Sequence, residues 1–437
     1  KIFVLSGYAG TGKTTLIKKF IDEQVKAKTS VSISAPTHKA KKVISKIIYR
    51  EAVTLHSLLG LRMGIELSKF DPHNPTFQQE RGKSTFHEYQ LVVIDEASMI
   101  NQYLLELILS TINETKVIFM GDSAQLPPVN EDNPPVFSME TNSFNLTKVI
   151  RQADSNPLLD VFTDVRKVIS LEMPVREFKE VTILDSRGQG IEYIHSLKEW
   201  RPKILEYFSS DEYELDSDYA KVITYTNERV EHYNKFIRSH LFPTGSNQIE
   251  VGEVFMSYDS IYDQNIPILD NSADYIVESI SDEMNNADGN AGYFIKLKET
   301  NSELRARSVF ILKSDRENLR KAGEESLLLL SEAKQSYGYN RRLNFAMFFD
   351  YKNRNLSQQT IKINGQLCLS ASLKNGYAIT CHKAQGSTYG NVFIDQNDME
   401  RNHNSVEKWK LKYVAMTRPS TKAFVFSKVK KQLELEI

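Results

Sequence analysis

The sequence predicts an α/β fold in which short parallel strands, buried on both faces, alternate with helices. Three runs of apolar residues support this prediction: residues 2–5 (IFVL), 91–94 (LVVI) and 117–120 (VIFM). Each run passes directly into a polar or glycine-containing loop, which is typical of a strand covered on both sides. Apolar residues at helical spacing follow the first loop, namely Leu16, Ile17, Phe20, Ile21 and Val25. We therefore expect a strand, a loop and a helix at the start of the chain.

The length of the chain predicts several domains, and its balanced charge predicts no general attraction to nucleic acid. The chain has 437 residues, of which 41% are hydrophobic, enough for about two to four domains. Lys plus Arg number 55 and Asp plus Glu 56, so the net charge is -1 and any basic binding site must be local. No apolar run approaches the roughly 20 residues that cross a bilayer, and we expect no membrane association.

The cysteines and the first residue bear on the compartment and the extent of the chain. The two cysteines, Cys368 and Cys381, form neither a disulfide framework nor a zinc-ligand cluster. A reducing, cytoplasmic compartment is therefore expected. The chain begins at Lys1, directly on a predicted core strand, and we expect further residues upstream.

The first loop contains the phosphate-loop pattern GxxxxGK[ST], formed by Gly7, Gly12, Lys13 and Thr14. Glycines allow backbone N–H groups to converge on phosphate oxygens, and the helix N-terminus and Lys13 add positive charge. A glycine turn without function is the alternative, which the strand, loop and helix context disfavours. The residues predicted to bind the nucleotide in this loop are Gly7, Gly10, Thr11, Gly12, Lys13, Thr14 and Thr15.

Two further strands end in residues suited to phosphoryl transfer. Asp95 and Glu96 follow the apolar run 91–94, and Gln125 lies in the loop after 117–120. In phosphoryl transfer, one acid holds magnesium and another residue orients or deprotonates the attacking water. A solvated acidic turn is the alternative for the two carboxylates, and Gln125 taken alone is equally well a loop residue.

Eight segments occur in the order and approximate spacing of the superfamily 1 helicases. They are GYAGTGKTT (7–15), APTHKA (35–40), TLHSLLG (54–60), IDEAS (94–98), GDSAQLPPV (121–129), LTKVIRQ (146–152), HKAQGST (382–388) and YVAMTR (413–418). The sequence resembles the RecD/Dda-like branch of that superfamily, whose members move 5′ to 3′ on single-stranded DNA. The resemblance covers nearly the whole chain and is weakest between residues 160 and 375.

The resemblance implies a role for particular residues around ATP and Mg²⁺. Thr14 and Asp95 would hold Mg²⁺, and Gly386 would contribute to the nucleotide site. The implied catalytic residues are Lys13 on the phosphates, Glu96 as base, Gln125 as phosphate sensor, and Arg151 and Arg418 reaching the terminal phosphate. Arginine suits that last task because its planar fork stabilises charge on several phosphoryl oxygens. The adenine-reading glutamine of the family would precede Lys1, so the preference for ATP is implied by the resemblance alone.

A second set of residues is predicted to hold single-stranded DNA. Residues 34–50 concentrate basic side chains near one helix (Lys39, Lys41, Lys42, Lys46 and Arg50), and such groups contact phosphates without reading sequence. A solvated helix face is the alternative, and we assign Lys46 to it. Histidines alone more often make structural hydrogen bonds. The positions matched to DNA contacts are Thr37, His38, Thr54, His56, Thr224, Asn227, His382 and Lys383.

The resemblance also implies the domain organisation. Residues 1–150 would form the first RecA-like motor domain, with a small hairpin insertion at 61–90 that separates the strands. Residues 151–250 and 377–437 would form the second motor domain. Residues 251–376, with several short strand patterns and a helical stretch from about 315 to 344, would form an inserted SH3-like β-barrel. Phe77 is the candidate for the aromatic residue that stacks on a base at the fork, with Phe70 and Phe86 as alternatives.

The sequence therefore predicts an ATP-driven 5′-to-3′ DNA helicase that binds single-stranded and forked DNA. We expect a monomer, with a single-strand-binding protein as a candidate partner. Two alternatives remain open. One is an ATP-gated nucleic-acid-binding ATPase that remodels complexes without processive unwinding, and the other is an RNA-directed motor of the same superfamily.

Overall fold

A computed structural model of the chain describes residues 1–63, 77–79, 84–128, 131–148, 156–243, 248–263, 266–300 and 306–428. The chain divides into two compact units. Unit 1 comprises Lys1–Leu61, Gln79–Ile237 and Tyr377–Ile437. Unit 2 comprises Arg62–Gln78 and Arg238–Gly376. The boundaries of the individual motor domains stay predictions.

Unit 1 contains a first sheet built from the N-terminal part of the chain. Its strands are β1 (Ile2–Gly7), β2 (Val31–Ala35), β3 (Val53–Thr54), β6 (Leu91–Ile94), β7 (Lys116–Gly121) and β8 (Asn142–Leu146). Their order is β3-β2-β6-β7-β1-β8, and every neighbouring pair is parallel. The three strands predicted from apolar runs are β1, β6 and β7, and they are neighbours at the centre of this sheet.

Four helices accompany the first sheet: α1 (Lys13–Lys26), α2 (His38–Ile48), α3 (Leu55–Leu58) and α4 (Gln102–Thr111). Ile17 and Ile21 of α1 pack with Ile44 of α2 in one apolar core against the sheet. Leu16 and Val25 share the helical spacing of the apolar residues, but 46% and 36% of their surfaces are exposed. They lie at the edges of the apolar stripe, because the core accepts a narrower face of the helix than the sequence pattern offers.

Unit 1 also contains a second sheet. Its strands are β9 (Ile183–Leu184), β10 (Gly190–Ile194), β11 (Ala220–Thr224), β22 (Ala378–Thr380), β23 (Tyr389–Asp395) and β24 (Pro419–Phe426). The order is β22-β11-β23-β24-β10-β9. All pairs are parallel except β9 with β10. The helices of this part are α5 (Leu158–Ile169), α6 (Leu197–Phe208), α7 (Asp211–Leu215), α8 (Asn227–Leu241), α11 (Cys381–Ala384), α12 (Gln396–Met399) and α13 (Ser405–Met416).

Stacked aromatic rings fill much of the core beside the second sheet. The rings of Phe393 and Phe424 stack with centroids 4.6 Å apart, and Trp200 stacks on Phe426 at 5.3 Å. Such pairs stabilise a core beyond the area that they bury. Each sheet of unit 1 is thus a mostly parallel sheet with its own apolar core and helices, as the α/β prediction requires.

Unit 2 is largely antiparallel. The strands of its main sheet are β12 (Val254–Ser257), β15 (Asp274–Ile280), β16 (Met284–Asn285), β17 (Ala291–Glu299), β18 (Arg307–Leu312) and β21 (Leu373–Asn375). Their order is β16-β17-β15-β12-β21, with β18 also paired to β17. Two-stranded sheets are formed by β4 (Leu61–Met63) with β5 (Phe77–Gln79), β13 (Ile261–Asp263) with β14 (Ile266–Leu269), and β19 (Ile361–Ile363) with β20 (Gln366–Leu369).

Two helices of unit 2 replace the single helical stretch expected from about residue 315 to 344. They are α9 (Arg316–Gln335) and α10 (Gly338–Arg354). Gly338 has a φ of 58°, a left-handed conformation that interrupts the helical path. An SH3-like barrel stays a prediction for this unit. Within the described ranges, no helix is both long and apolar enough to cross a bilayer.

Candidate functional site

The predicted nucleotide-binding residues lie at the ends of three neighbouring strands. The phosphate loop follows β1, Asp95 and Glu96 follow β6, and Gln125 follows β7. The three strands are adjacent and parallel, so their carboxyl ends meet at one edge of the sheet. Ligands of open α/β sheets bind at this edge. The structure therefore brings these predicted residues together.

The phosphate loop has a backbone that depends on glycine at several positions. Gly10 and Gly12 have φ angles of 76° and 80°, which residues with a Cβ rarely adopt. At Gly7, a Cβ would lie 2.9 Å from both the Leu146 Cβ and the Thr11 Oγ1. The Thr11 hydroxyl donates a hydrogen bond to the Tyr8 carbonyl at 2.8 Å, which closes the loop on itself.

Lys13 lies among the negative charges of the site. Its Nζ donates hydrogen bonds to the carbonyl oxygens of Gly7 at 2.7 Å and Tyr8 at 2.8 Å. Burial lowers the pKa of this ammonium group, while the charges of Asp122, Glu96 and Asp95 act in the opposite direction. A bound phosphate would likewise favour the charged form. Thr14 and Thr15 follow in the first turn of α1, half-buried and exposed respectively.

The two acids after β6 are shifted toward their neutral forms. Burial, followed by the charge of Glu96, raises the pKa of Asp95 to about 7. Burial also raises the pKa of Glu96, although Arg418 and Lys13 counteract it. The Glu96 Oε2 is buried and accepts no hydrogen bond from the residues that the structure describes.

Gln125 has a comparable unsatisfied group. Its side chain is buried, and its backbone N–H donates to the Asp122 carbonyl at 3.2 Å. Within the described part of the chain, its Oε1 accepts no hydrogen bond. Buried acceptors without partners are uncommon in folded proteins, and two of them follow the neighbouring strands β6 and β7.

Two predicted residues from the C-terminal segments approach this same site. A Cβ at Gly386 would lie 3.0 Å from the Ala40 Cβ and 3.6 Å from the Glu96 Cγ. Arg418 is buried, and its charge acts on the pKa of Glu96. The Arg418 guanidinium donates to the carbonyl oxygens of Val414 at 3.0 Å and Ser387 at 3.1 Å. The site thus combines residues attached to both sheets of unit 1.

The predicted DNA-binding residues occupy other strands. β3 and β2 lie at one edge of the first sheet, and β22 and β11 lie at one edge of the second. The Thr37 hydroxyl caps α2 by accepting from the Ala40 N–H at 3.1 Å, and Thr54 caps α3 through the Ser57 N–H at 3.3 Å. Thr224 is completely buried. Thr37 and Thr54 therefore stabilise helix starts, and Thr224 is enclosed in the fold. The backbone at these residues sets the position of the side chains that follow.

The histidines of this set begin short helices at the same strand ends. His38 is the first residue of α2, His56 the second of α3, and His382 the second of α11. Burial, followed by the charge of His38, lowers the pKa of His56, so these two rings are near one another. Burial also lowers the pKa of His382, against the influence of Glu407. His56 and His382 are thus neutral near pH 7. Lys383 follows half-buried, and Asn227, the first residue of α8, is exposed.

Comparison with known proteins agrees with this arrangement. Residues 1–167 match the AAA domain family, and residues 375–426 match the UvrD-like helicase C-terminal domain. The chain is 30% identical over 270 residues to the ATP-dependent DNA helicase Dda of Enterobacteria phage T4, covering 59% of this chain and 56% of that protein. It is 31% identical over 162 residues to the ATP-dependent RecD2 DNA helicase of Deinococcus radiodurans, covering 36% and 21%.

The chain is thus similar to the RecD/Dda/Pif1-like superfamily 1 helicases. A solved structure concerning DNA unwinding at forked double-stranded DNA by two coordinating Pif1 helicases has a similar fold. It shares 19% identity and a TM-score of 0.50, over 99% of this chain and 89% of that chain. The predicted fold class, with two RecA-like domains, is confirmed. The Dda and RecD2 matches span less than two thirds of those relatives.

Four of the predicted residues remain to be located. Arg151 and Phe70 lie outside the described residues. Phe77 begins strand β5. Phe86 was an alternative for the aromatic residue at the fork, and this alternative is wrong. Its ring is completely buried within the short 3₁₀ turn Phe86–Glu88, so no base can stack on it.

The structure adds three residues that sequence reasoning did not select. Asp122, Arg166 and Tyr413 form a hydrogen-bonded group next to the phosphate loop. Asp122 and Tyr413 fall inside two segments that carried the helicase resemblance, GDSAQLPPV and YVAMTR. Arg166 falls in α5, where the amphipathic pattern indicates only a helix, and no local signal distinguishes it.

Proposed function

We propose that this protein is an ATP-dependent DNA helicase that moves 5′ to 3′ on single-stranded DNA and separates duplex DNA at a fork. One observation carries the proposal: Gly386 and Arg418, from segments attached to the second sheet, approach Glu96 at the nucleotide edge of the first. A nucleotide bound at that edge would therefore interact with both RecA-like parts. Its binding and hydrolysis would change how they are held together, which is the requirement for a motor.

The nucleotide site is suited to Mg²⁺ bound together with ATP. Thr14 offers a hydroxyl and Asp95 a carboxylate, which are oxygen ligands of the kind that Mg²⁺ prefers. No group of three or more His, Cys, Asp or Glu in the described ranges could hold a metal by itself. Phosphate and water oxygens would thus supply the remaining ligands. When bound, Mg²⁺ neutralises charge that develops on the phosphates.

Lys13, Glu96 and Gln125 would carry out the chemistry on the protein side. Lys13 exchanges its hydrogen bonds to the loop carbonyls for phosphate oxygens. Glu96 takes a proton from the attacking water, and its raised pKa suits a base that works near neutral pH. The unsatisfied Oε1 of Gln125 is available to accept a hydrogen bond from that water.

Arg418, together with Arg151, would stabilise the terminal phosphate during its transfer. In this conformation the Arg418 guanidinium donates to backbone carbonyls and to the Thr417 hydroxyl. A bidentate phosphate contact would use N–H groups of this guanidinium. Arginines in this role contribute about a thousandfold or more in rate.

Single-stranded DNA would bind across the edge strands β2, β3, β11 and β22. His56 and His382 are neutral near pH 7 because burial lowers the pKa of each, so they would donate hydrogen bonds to phosphates rather than add charge. Contacts of this kind position a strand without reading its sequence. Phe77 would stack on a base where the duplex opens. A monomer acting on forked DNA, with a single-strand-binding protein as a candidate partner, completes the proposal.

Strand separation on tailed duplexes tests this proposal. Duplexes of identical sequence carry either a 5′ or a 3′ single-stranded tail, and excess trap strand prevents reannealing. We expect ATP-dependent separation of the 5′-tailed duplex alone, and none by Lys13→Ala. Separation from the 3′ tail alone would reject the direction. Brisk DNA-stimulated hydrolysis without separation would favour the ATP-gated remodelling ATPase, and stronger stimulation by RNA of equal length would favour an RNA-directed motor.

A further inference from the structure

Asp122 is a buried carboxylate that accepts hydrogen bonds from three donors. It follows β7 and is 1% exposed. Its Oδ1 accepts hydrogen bonds from the Arg166 Nη1 at 2.7 Å and from the Ala124 N–H at 3.0 Å. Its Oδ2 accepts from the Tyr413 hydroxyl. A buried charge is tolerated only when it is paired and hydrogen-bonded, and Asp122 meets this condition with partners from α5 and α13.

The same two partners contact the phosphate loop. The Tyr413 hydroxyl accepts a hydrogen bond from the backbone N–H of Ala9 at 3.4 Å. The guanidinium carbon of Arg166 lies 3.3 Å from the centroid of the Tyr8 ring, a cation–π arrangement. Tyr8 and Ala9 are consecutive loop residues, so two neighbouring positions of the loop are contacted by groups that Asp122 orients.

The protonation states of Tyr413 and Arg166 suit their contacts with the phosphate loop. Burial, followed by the charge of Asp122, raises the pKa of Tyr413 well above its ordinary value, so its hydroxyl stays a donor. Burial would lower the pKa of Arg166, but Asp122, Tyr413 and Tyr8 together outweigh burial and the pKa is raised. Arg166 therefore stays charged.

We propose that Asp122, Arg166 and Tyr413 are positioning residues that hold the phosphate loop in its nucleotide-binding conformation. The inference rests on the proposed function only in taking this loop to bind a nucleotide. A loop already held in its bound conformation loses less conformational freedom when the ligand binds. Because Tyr413 lies on α13, in the segment that also carries Arg418, this support comes from the part of unit 1 that contains the second sheet.

The chain offers a matched pair of tyrosines for the test. Tyr413→Phe removes one hydroxyl and keeps the ring, including its edge contact with Phe162. Tyr233→Phe is the control, because the Tyr233 hydroxyl also donates to a buried carboxylate, that of Asp395 at 2.9 Å. An arginine, Arg229, pairs with that carboxylate as well. The control thus removes a hydroxyl from a similar group of a carboxylate, an arginine and a tyrosine, and the contacts given for that group involve neither Tyr8 nor Ala9.

The measurement is the affinity of the full chain for Mg·ADP by titration calorimetry, with the melting temperature recorded for each variant. We expect Tyr413→Phe to weaken ADP binding about three- to tenfold, the effect of about one hydrogen bond. Tyr233→Phe should lower the melting temperature about as much as Tyr413→Phe does. Its ADP affinity should stay within about twofold of the wild type. Arg166→Lys, which keeps the charge but loses the planar group, should weaken binding too, and less than additively with Tyr413→Phe.

Unchanged ADP affinity in Tyr413→Phe, or an equal loss in Tyr233→Phe, would overturn the inference. Strand separation by the wild-type chain is measured separately, so the two proposals fail in different ways. If the wild-type chain separates no strands but Tyr413→Phe weakens ADP binding, the positioning role stands and the helicase proposal fails. A wild-type chain that binds no ADP overturns both.

Discussion

Gly386 and Ala40 lie so close together that a Cβ on the glycine would stand 3.0 Å from the Cβ of Ala40. The two residues belong to segments that follow β22 and β2, so this contact joins the two sheets of unit 1. Gly386 also has a φ of 70°, which favours glycine. The close approach places the loop that contains Gly386 beside Glu96.

Gly386→Ala should reduce ATP hydrolysis, because the added methyl group pushes the loop away from Ala40 and Glu96. We expect kcat to fall about tenfold, equivalent to about 1.4 kcal/mol of transition-state stabilisation, as measured by steady-state phosphate release with saturating single-stranded DNA. Gly188→Ala is the matched control, since Gly188 has a φ of 75° but nothing within 4 Å of an added Cβ. An equal loss in both variants would show that backbone strain, and not the contact, is responsible.

Lys13→Ala should abolish hydrolysis, because it removes the full positive charge of the phosphate loop. We expect kcat to fall by about a hundredfold or more, measured in the same assay. Lys19→Ala, an exposed lysine on the same helix, should hydrolyse ATP as the wild type does. Substantial hydrolysis by Lys13→Ala would show that another cation binds the phosphates.

Phe77→Ala should separate duplex DNA more slowly while its DNA-stimulated ATP hydrolysis is preserved. Loss of one stacked base is worth about 1 to 3 kcal/mol, so we expect the unwinding rate to fall about tenfold. Phe144→Ala is the control, because 58% of that aromatic side chain is exposed and it lies outside the predicted insertion. Normal unwinding by Phe77→Ala, with a defect in Phe70→Ala, would move the role to Phe70.

Phe86→Ala should destabilise the fold, since its ring is completely buried. The loss of a buried phenylalanine costs about 3 to 5 kcal/mol in the free energy of unfolding, which urea denaturation of the purified chain would measure. The same substitution at the exposed Phe144 should cost little. A Phe86→Ala variant of wild-type stability that unwinds poorly would restore Phe86 as the aromatic residue at the fork.

The stability of the nucleotide-free protein should decrease as pH rises toward 8, partly because of Asp95. Its pKa is raised from an ordinary 3.8 to about 7, so the folded state binds a proton that the unfolded chain has already released. The stability that this provides is complete below about pH 3.8 and is lost as pH rises through about 7.

Asp95→Asn tests this pH dependence, because the amide cannot ionise. We expect its melting temperature at pH 8 to exceed that of the wild type by a few degrees, with little difference at pH 5. Asp263→Asn, at an exposed position, is the control, and its melting temperature should match that of the wild type at pH 5 and at pH 8. Parallel melting curves for Asp95→Asn and the wild type would show that Asp95 does not titrate in this range.

The phosphate loop and the acids after β6 could be predicted from sequence because their geometry is local. Gly7 to Thr14 form one continuous segment whose backbone depends on its own glycines, and Asp95 and Glu96 directly follow the strand that carries them. The order of strands was not predicted. Neighbouring positions for β6, β7 and β1 result from pairing between segments far apart in the chain.

The aromatic candidates at 61–90 show where the sequence was insufficient. Phe77 and Phe86 both lie in a polar interval, and neither has an apolar pattern around it that would distinguish packing from exposure. Only the fold shows that Phe86 is enclosed. Leu16 and Val25 show the converse, since both belong to the apolar pattern of α1 and yet are exposed in the fold.

The sequence by itself determined the α/β fold class and the nucleotide loop, because each depends on residues close together in the chain. The order of eight short segments carried the resemblance to superfamily 1 helicases. The tertiary structure decided which distant residues support that loop. Asp122 meets Arg166 across 44 positions and Tyr413 across 291. Local pattern cannot specify such contacts, because a buried carboxylate needs donors from whichever segments pack against it, and only the folded chain selects those segments.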